Sequence, residues 1–257
     1  MPMAAAGGAT LESFVCASAD HQDGCYRLVQ YAARLLGSLH VTRRQSLFAL
    51  SNALDRSRIL TRTFGVVYAV RAAMAGHLRL DDLVADLALC AYHPLETWYW
   101  LLLVTASPKA ERRRTLSRLS SLFGLVWGVL YGANVYKRFR AIKAEHAAAG
   151  DAEGAEGGLS HEISRLRRLV WKLALDSALC LHWSLDHHTL KLSDWQVGLI
   201  GTVSAALGLR LQWGAYTEAI ELHAREEEEE NEKMAAEEEG ETLNGVQTPA
   251  LLSPLSA

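Results

Sequence analysis

Three histidines and an aspartate in the last third of the chain come nearest to metal-binding chemistry. They are His182, Asp186, His187 and His188. His182 and Asp186 are four positions apart and would share one face of a helix, but the other two histidines fall in the polar turn DHHTLKLSD, and no cysteine accompanies them. A zinc site needs four ligands that converge in space. This spacing does not supply them, so we expect no metal site and no cofactor.

The four cysteines, Cys16, Cys25, Cys90 and Cys180, could act as nucleophiles or as disulfide partners. None of them forms a Cys-x-x-Cys pair, and all lie in apolar sequence, which predicts reduced core residues rather than a disulfide framework. The chain also lacks the Gly-x-Ser-x-Gly, phosphate-loop and dinucleotide-binding glycine patterns. We therefore predict no catalytic residue and no enzyme.

The segment LSSLFGLVWGVLYGANVY, residues 119–136, contains no charged side chain and is flanked by arginines and lysines. As a helix it would be about 27 Å long, close to the thickness of a bilayer core. Its glycines Gly124, Gly128 and Gly132 recur every fourth residue on one face. Each would cost about 1 kcal/mol in a water-soluble helix, whereas small residues let membrane helices approach each other closely. We predict a membrane helix that self-associates through this glycine face.

A second membrane helix is predicted from the run WQVGLIGTVSAALGLRLQW. Its uncharged part, residues 196–209, is short for a span, but the long side chain of Arg210 can reach the head groups and extend it. Small residues again lie four positions apart. The residues predicted to form helix–helix contacts here are Gly198, Gly201 and Gly208.

Residues 23–40, DGCYRLVQYAARLLGSLH, predict an amphipathic helix, because polar and apolar side chains separate at 100° per residue. The polar side comprises Asp23, Arg27, Gln30, Arg34 and Ser38. The apolar face could pack in a protein core or lie on a membrane; beside a predicted membrane helix we favour lipid, with the arginines near head groups. The predicted membrane-binding residues are Arg27, Leu28, Arg34, Leu35, Leu36 and Leu39.

Charge is unevenly distributed along the 257 residues. Residues 218–241 hold twelve acidic and two basic side chains, net −10, whereas the rest of the chain carries a net charge of +7. A basic body favours anionic lipids as partners, and since no recognition motif is present we expect no nucleic-acid partner. No basic residue precedes Arg27, so we expect neither a secretory signal nor a transit peptide.

The predicted fold class is all-α: an integral membrane protein with N-terminal amphipathic helices, two hydrophobic membrane helices and a disordered acidic tail. The helical stretch 81–105 is expected to break near Pro94, since the residue before a proline avoids the helical conformation. The predicted regions are a disordered N-terminus (1–20), an amphipathic helical region (21–108), the first membrane helix with basic flanks (109–143), a flexible linker (144–160), a helical pair with the second membrane helix (161–217) and the disordered tail (218–257).

Several stretches resemble the peroxin-11 family of peroxisomal membrane proteins. His182-Trp183 and the Val-Gly-x-x-Gly-Thr-x-Ser stretch at 197–204 are similar to the family's C-terminal half. DGCYRLVQYAARLL resembles its Asp…Arg-x-x-Gln-Tyr opening helix, and LSNALDRSRILTRTF resembles the next one. The residues that match the gamma-type branch are Tyr92, Pro94, Glu96 and Trp100. The acidic tail departs from the family's pattern.

The resemblance implies a non-enzymatic protein that inserts into the peroxisomal membrane, elongates and tubulates it, and promotes peroxisome proliferation and fission. The partners it implies are further copies or related peroxins in a homo- or hetero-oligomer, and the fission machinery, a dynamin-related protein with its membrane adaptor. It also implies that both termini lie in the cytosol, which two spans would require.

Two other classes remain open from the residues alone. One is a channel or pore of the same organelle, for which the first span offers only Ser120, Ser121 and Asn134 as polar lining residues. The other is a soluble helical adaptor with an acidic tail. Carbonate extraction of membranes separates them, because only an adaptor leaves with the wash.

Overall fold

The helices of this chain were located in a computed structural model, which describes residues 10–62, 67, 70, 74, 80–105, 110–149, 156–185 and 192–245. Within these ranges there are seven α-helices and no strand, so the all-α prediction is confirmed for this part of the chain. The helices are α1 (Leu11–Ala17), α2 (Ala19–Leu39), α3 (Arg44–Arg62), α4 (Leu80–Val104), α5 (Ala110–Ala149), α6 (Glu156–Ser184) and α7 (Asp194–Gly245).

Hydroxyl caps start the first two helices. The Thr10 hydroxyl accepts the backbone N–H of Ser13 at 3.1 Å, and the Ser13 hydroxyl accepts that of Thr10 at 3.0 Å, which closes a capping box at α1. The Ser18 hydroxyl accepts the N–H of His21 at 3.1 Å and starts α2. The predicted disorder of residues 1–20 is therefore wrong for its described part, residues 10–20.

Two units make up the chain, Thr10–Trp213 and a second one that includes Gly214–Ala257. In the first unit α2 packs on α3, and α5 packs on both α4 and α6. A cluster around Val135, Leu166 and Leu173 joins α5 to α6. A second cluster, formed by Tyr31, Leu179 and Val197, joins α2, α6 and the first turns of α7. Helix–helix contacts therefore hold the described helices of the first unit together.

Pro94 lies inside α4, which continues through it without interruption, so the predicted break is wrong. A proline in a helix interior removes one backbone hydrogen bond and costs about 3 kcal/mol. Packing on α5 offsets this cost on both sides of the proline. Before it, the Tyr92 ring lies against Gly124 and the Asn134 amide donates to Asp82 at 2.6 Å; after it, the Arg112 guanidinium lies 5.1 Å from the centre of the Trp98 ring.

Two predicted irregular regions are helical where the structure describes them. In the predicted linker, α5 extends to Ala149 and α6 begins at Glu156, so only residues 150–155 lie outside the described chain. In the second unit, α7 continues to Gly245, which corrects the prediction of a disordered tail at residues 218–245. Glutamate, alanine and lysine are good helix formers, and no glycine or proline interrupts residues 215–239.

The stretch Ala110–Ala147 is, among the described helices, the one long and apolar enough to cross a bilayer by length and composition. Its most apolar 18 residues have a mean hydropathy of 1.3, and 22% of them are buried within the protein. The first membrane helix was predicted in this stretch. The second, in α7, does not meet the same criterion and stays a prediction.

Candidate functional site

A buried charge cluster joins three helices of the first unit. Asp176 of α6 accepts hydrogen bonds from Arg27 of α2 and Ser204 of α7, and it pairs with Lys172 at 2.9 Å. Only 13% of the Asp176 side chain and 18% of the Arg27 side chain are exposed, and Ser204 is fully buried. We call these four residues the charge cluster. The Asp176 carboxylate thus has two cations and one hydroxyl as partners, and such pairing offsets the cost of burying its charge.

A second polar group ties α2 to α3. The Arg58 guanidinium donates to Asp23 at 2.9 Å and 3.1 Å and to the Gln30 carbonyl at 2.6 Å, and the Gln30 amide donates to Asp55 at 2.8 Å. Both Arg58 and Gln30 are 4% exposed. The polar side of α2 therefore faces the protein interior.

The orientation of α2 changes the roles predicted for its two arginines. Arg27 belongs to the charge cluster, and Arg34 pairs with Asp194 at 2.9 Å while lying over the rings of Phe48 and Trp183. These contacts are intramolecular: Arg27 is held in the interior, whereas Arg34 lines a cleft at one end of the first unit. Membrane binding by either guanidinium stays a prediction. Among the predicted apolar residues, Leu36 and Leu39 are exposed, whereas Leu28 and Leu35 are half-buried.

Apolar side chains point outward from several helices of the first unit. The outer row of α2 consists of Tyr26, Val29, Leu36 and Leu39. The outer row of α5 consists of Leu119, Leu122, Val129 and Tyr136, spaced by three, seven and seven residues along one helix face. Similar rows occur on α4 (Val84, Leu87, Trp98 and Leu101) and α7 (Trp195, Leu199 and Val203). A soluble protein normally has apolar side chains inside and polar ones outside, and this arrangement is the reverse. Such apolar rows mark a surface that contacts lipid or another protein.

The three glycines of α5 lie at helix crossings within the chain. A Cβ at Gly124 would stand 3.4 Å from Cys180 and from the Tyr92 ring, one at Gly128 would stand 2.9 Å from the Ser177 hydroxyl, and one at Gly132 would stand 3.6 Å from Leu173. The close helix approach predicted for this face is therefore present, but its partners are α4 and α6 of the same chain. Self-association through this face stays a prediction.

The glycines of α7 lie against α2 and α6. A Cβ at Gly198 would stand 2.6 Å from the backbone nitrogen of Leu35, one at Gly201 would overlap the Tyr31 ring, and one at Gly208 would stand 3.1 Å from the Lys172 side chain. These contacts again lie within one chain. Gly24 of α2 faces Leu209, and Leu35 faces Gly198, so α2 runs antiparallel beside the first half of α7.

Of the four residues considered for a metal site, the structure describes His182. The His182 Nδ1 atom accepts the backbone N–H of Leu192 at 3.2 Å. Asp186, His187 and His188 lie outside the described residues. In the described ranges, no group of three histidine, cysteine or acidic side chains could hold an ion. The four cysteines are free thiols, and Cys16 is exposed rather than in the core as predicted.

Residues that carry the sequence resemblance build the polar interior. The opening motif supplies Arg27, Gln30 and Tyr31, and the Val-Gly-x-x-Gly-Thr-x-Ser stretch supplies Gly201 and Ser204. From the sequence, Arg27 was predicted to bind lipid and Gly201 to form helix–helix contacts. The other three residues were not predicted to belong to a site. Asp176 was missed as the centre of the charge cluster, although an acidic residue four positions after a lysine in apolar sequence is a usable signal.

Comparison with known proteins gives one match. A family model described as Peroxisomal biogenesis factor 11 (PEX11) matches residues 11–213, which is nearly the whole of the unit Thr10–Trp213. No curated protein and no solved structure matches the chain.

Proposed function

The chain belongs to the Peroxisomal biogenesis factor 11 (PEX11) family, and on that premise we propose that it remodels the peroxisomal membrane by inserting apolar helix faces into it. The family acts in peroxisome biogenesis and proliferation, is associated with the peroxisomal membrane and is not a family of enzymes. The finer steps, which are insertion, tubulation and fission, are our proposal. The assignment to the gamma-type branch likewise stays a proposal.

The observation that carries the proposal is the outward apolar surface of the first unit. Leu39 is 63% exposed and Val129 is 53% exposed, while Arg58 is 4% exposed and Ser204 is fully buried. In water this apolar surface stays exposed, and the protein forgoes the stabilisation of about 25 cal/mol that burial gives for each Å². In lipid the same side chains are solvated and the polar groups remain paired, so a bilayer stabilises this fold.

Helix α5 acts in this proposal as the membrane anchor, with its outer row toward lipid and its glycine face toward α4 and α6. Because α4 and α6 lie beside the uncharged run of α5, this proposal places all three helices at the same depth in the bilayer. The charge cluster of α6 is then tolerable in lipid only because every member has a partner.

Membrane curvature is assigned to the pair formed by α2 and the first half of α7. The two helices run side by side, so the outer row of α2 and Trp195, Leu199 and Val203 of α7 enter lipid together. A helix pair displaces more head-group area in one leaflet than a single amphipathic helix does. A helix that lies in one leaflet does not cross the bilayer, so a second span in α7, with both termini in the cytosol, is an alternative arrangement of this pair.

Association with other proteins completes the proposal. Copies of this chain or related peroxins would form a homo- or hetero-oligomer, and a dynamin-related protein with its adaptor would divide the elongated membrane. Because the glycines of α5 and α7 contact other helices of the same chain, this proposal assigns self-association to other surfaces. A pore is less favoured, because paired polar side chains and close glycine contacts fill the described interior; a soluble adaptor is less favoured because of the outer rows.

Leu36→Glu in the full chain is expected to abolish membrane elongation. The change removes an exposed leucine worth roughly 1.5–3 kcal/mol on burial and adds a charge that is costly in lipid, without touching the buried contacts of α2. The measurement is peroxisome length in cells that express the variant in place of the normal chain, together with electron microscopy of anionic liposomes carrying the purified protein.

Leu222→Glu is the matched control, since Leu222 is 60% exposed on the acidic part of α7. It should elongate peroxisomes and tubulate liposomes as the unchanged protein does. Equal tubulation by the two variants would defeat the insertion mechanism, and release of the unchanged chain by carbonate would defeat membrane embedding.

A further inference from the structure

An arginine-rich cleft of about 760 Å³ opens at one end of the first unit, where α4 and α6 end and α5 and α7 begin. The side chains that define its chemistry are Arg34, Arg113, Arg114, Arg118, Tyr99 and Trp183. Among the described residues that line it there are four arginines and one carboxylate, Asp194, a formal net charge of +3. We call this the arginine cleft.

The arginines come from two helices that hold them in different ways. Arg113, Arg114 and Arg118 project from the first turns of α5, where cations oppose the helix dipole. Arg34 is fixed by its pair with Asp194 at 2.9 Å and lies 5.3 Å from the centre of the Trp183 ring. On one wall of the cleft Arg34 is held by contacts within the protein, and on the other three arginines of α5 stand close together in sequence.

Two of the four arginines, Arg113 and Arg114, carry charge without a carboxylate partner among the described residues. Because two helices begin at the cleft and two end there, their dipoles largely cancel, and the side chains decide the potential. The Tyr99 hydroxyl, which can donate a hydrogen bond, also lines the cleft.

We propose that the arginine cleft binds a phosphate monoester. Guanidinium groups bind phosphate oxygens through paired N–H donors, and a dianionic, tetrahedral group can use several of these forks at once. The cleft volume lies within the range of small-molecule sites. A monoanionic carboxylate would leave most of the charge unbalanced.

The source of the phosphate is a lipid head group or a soluble phosphate ester. The cleft lies just before the uncharged run of α5, which is the level of head groups if that helix crosses a bilayer. A lipid source therefore rests on the proposed function, whereas the phosphate site itself does not.

The test is the affinity of the purified full chain, in neutral detergent, for three probes. They are dioctanoyl phosphatidic acid, which is a phosphate monoester, dioctanoyl phosphatidylglycerol, which carries charge as a diester, and inositol trisphosphate, which is soluble. We expect phosphatidic acid to bind at least tenfold tighter than phosphatidylglycerol. Arg113→Ala/Arg114→Ala should remove this preference and weaken phosphatidic acid binding at least tenfold.

Arg140→Ala/Lys143→Ala is the matched control, because it removes two exposed positive charges from the same helix, and it should change affinity less than twofold. Arg113→Lys/Arg114→Lys keeps the charge but loses the forked donors; an intermediate affinity is expected, and it guards against a folding defect in the alanine variant. If inositol trisphosphate binds tightly and neither lipid does, the cleft is a phosphate site whose ligand is a soluble ester.

Three results would overturn the arginine cleft as a phosphate site. They are equal binding of both lipids with no tight binding of inositol trisphosphate, unchanged binding by Arg113→Ala/Arg114→Ala, and equal losses in the alanine variant and the Arg140/Lys143 control. If the unchanged chain resists carbonate extraction while any of these is observed, the cleft proposal fails and the proposed function stands. If carbonate releases the unchanged chain but the phosphate preference is present, the proposed function fails and the cleft stands.

Discussion

Asp176→Asn is expected to lower the free energy of unfolding by about 3–5 kcal/mol, since removing one member of a buried ion pair leaves its partners uncompensated. The side chain is 13% exposed and holds Arg27, Lys172 and Ser204 around one carboxylate. A neutral amide leaves two cations without a counter-charge. The measurement is titration of the purified full chain with sodium dodecyl sulfate in mixed micelles, followed by far-ultraviolet circular dichroism.

Glu162→Gln is the control for Asp176→Asn. Glu162 pairs with Arg138 at 3.0 Å, but the Arg138 side chain is 66% exposed, and surface pairs contribute about 0–1 kcal/mol. Adding Lys172→Met to Asp176→Asn should recover part of the loss, because it removes one of the unpaired cations. A loss for Asp176→Asn as small as that for Glu162→Gln would show that the charge cluster is solvated like a surface pair.

Gly198→Ala is expected to destabilise the first unit by about 2–3 kcal/mol, in the range of core overpacking. The added methyl group would stand 2.6 Å from the nitrogen and 2.7 Å from the Cα of Leu35. Those atoms belong to the backbone of α2, which can move only if the whole helix moves away from α7. Thermal unfolding in detergent should show a Tm lower by roughly 4–12 °C for a unit of this size.

Gly214→Ala provides the matched comparison, because a Cβ there meets nothing within 4 Å. Alanine is the better helix former by about 1 kcal/mol, so this variant should be as stable as the unchanged chain or more stable. If both alanine variants raised the Tm, the close contact of α2 with α7 would not exist in solution.

Helix positions follow from sequence because they depend on local chemistry. The amphipathic period of residues 23–40 predicts α2, and the uncharged run at 119–136 predicts the centre of α5; both are present. The errors at Pro94, in the linker and in the acidic tail share one cause. In each case a local feature of the sequence was taken to end a helix. Packing instead allows α4 to continue through Pro94, and a run of good helix formers extends α7 to Gly245.

The sequence by itself determined the all-helical class, the four-residue spacing of the glycines and the separation of polar from apolar side chains on α2. It could not determine which side of α2 faces inward, because periodicity defines two faces without saying what each one meets. Only the tertiary structure decided this. It places Asp176 and Arg58, from distant parts of the chain, opposite Arg27 and Asp23. Pairing stabilises those charges in the interior and leaves Leu36 and Leu39 of α2 outside.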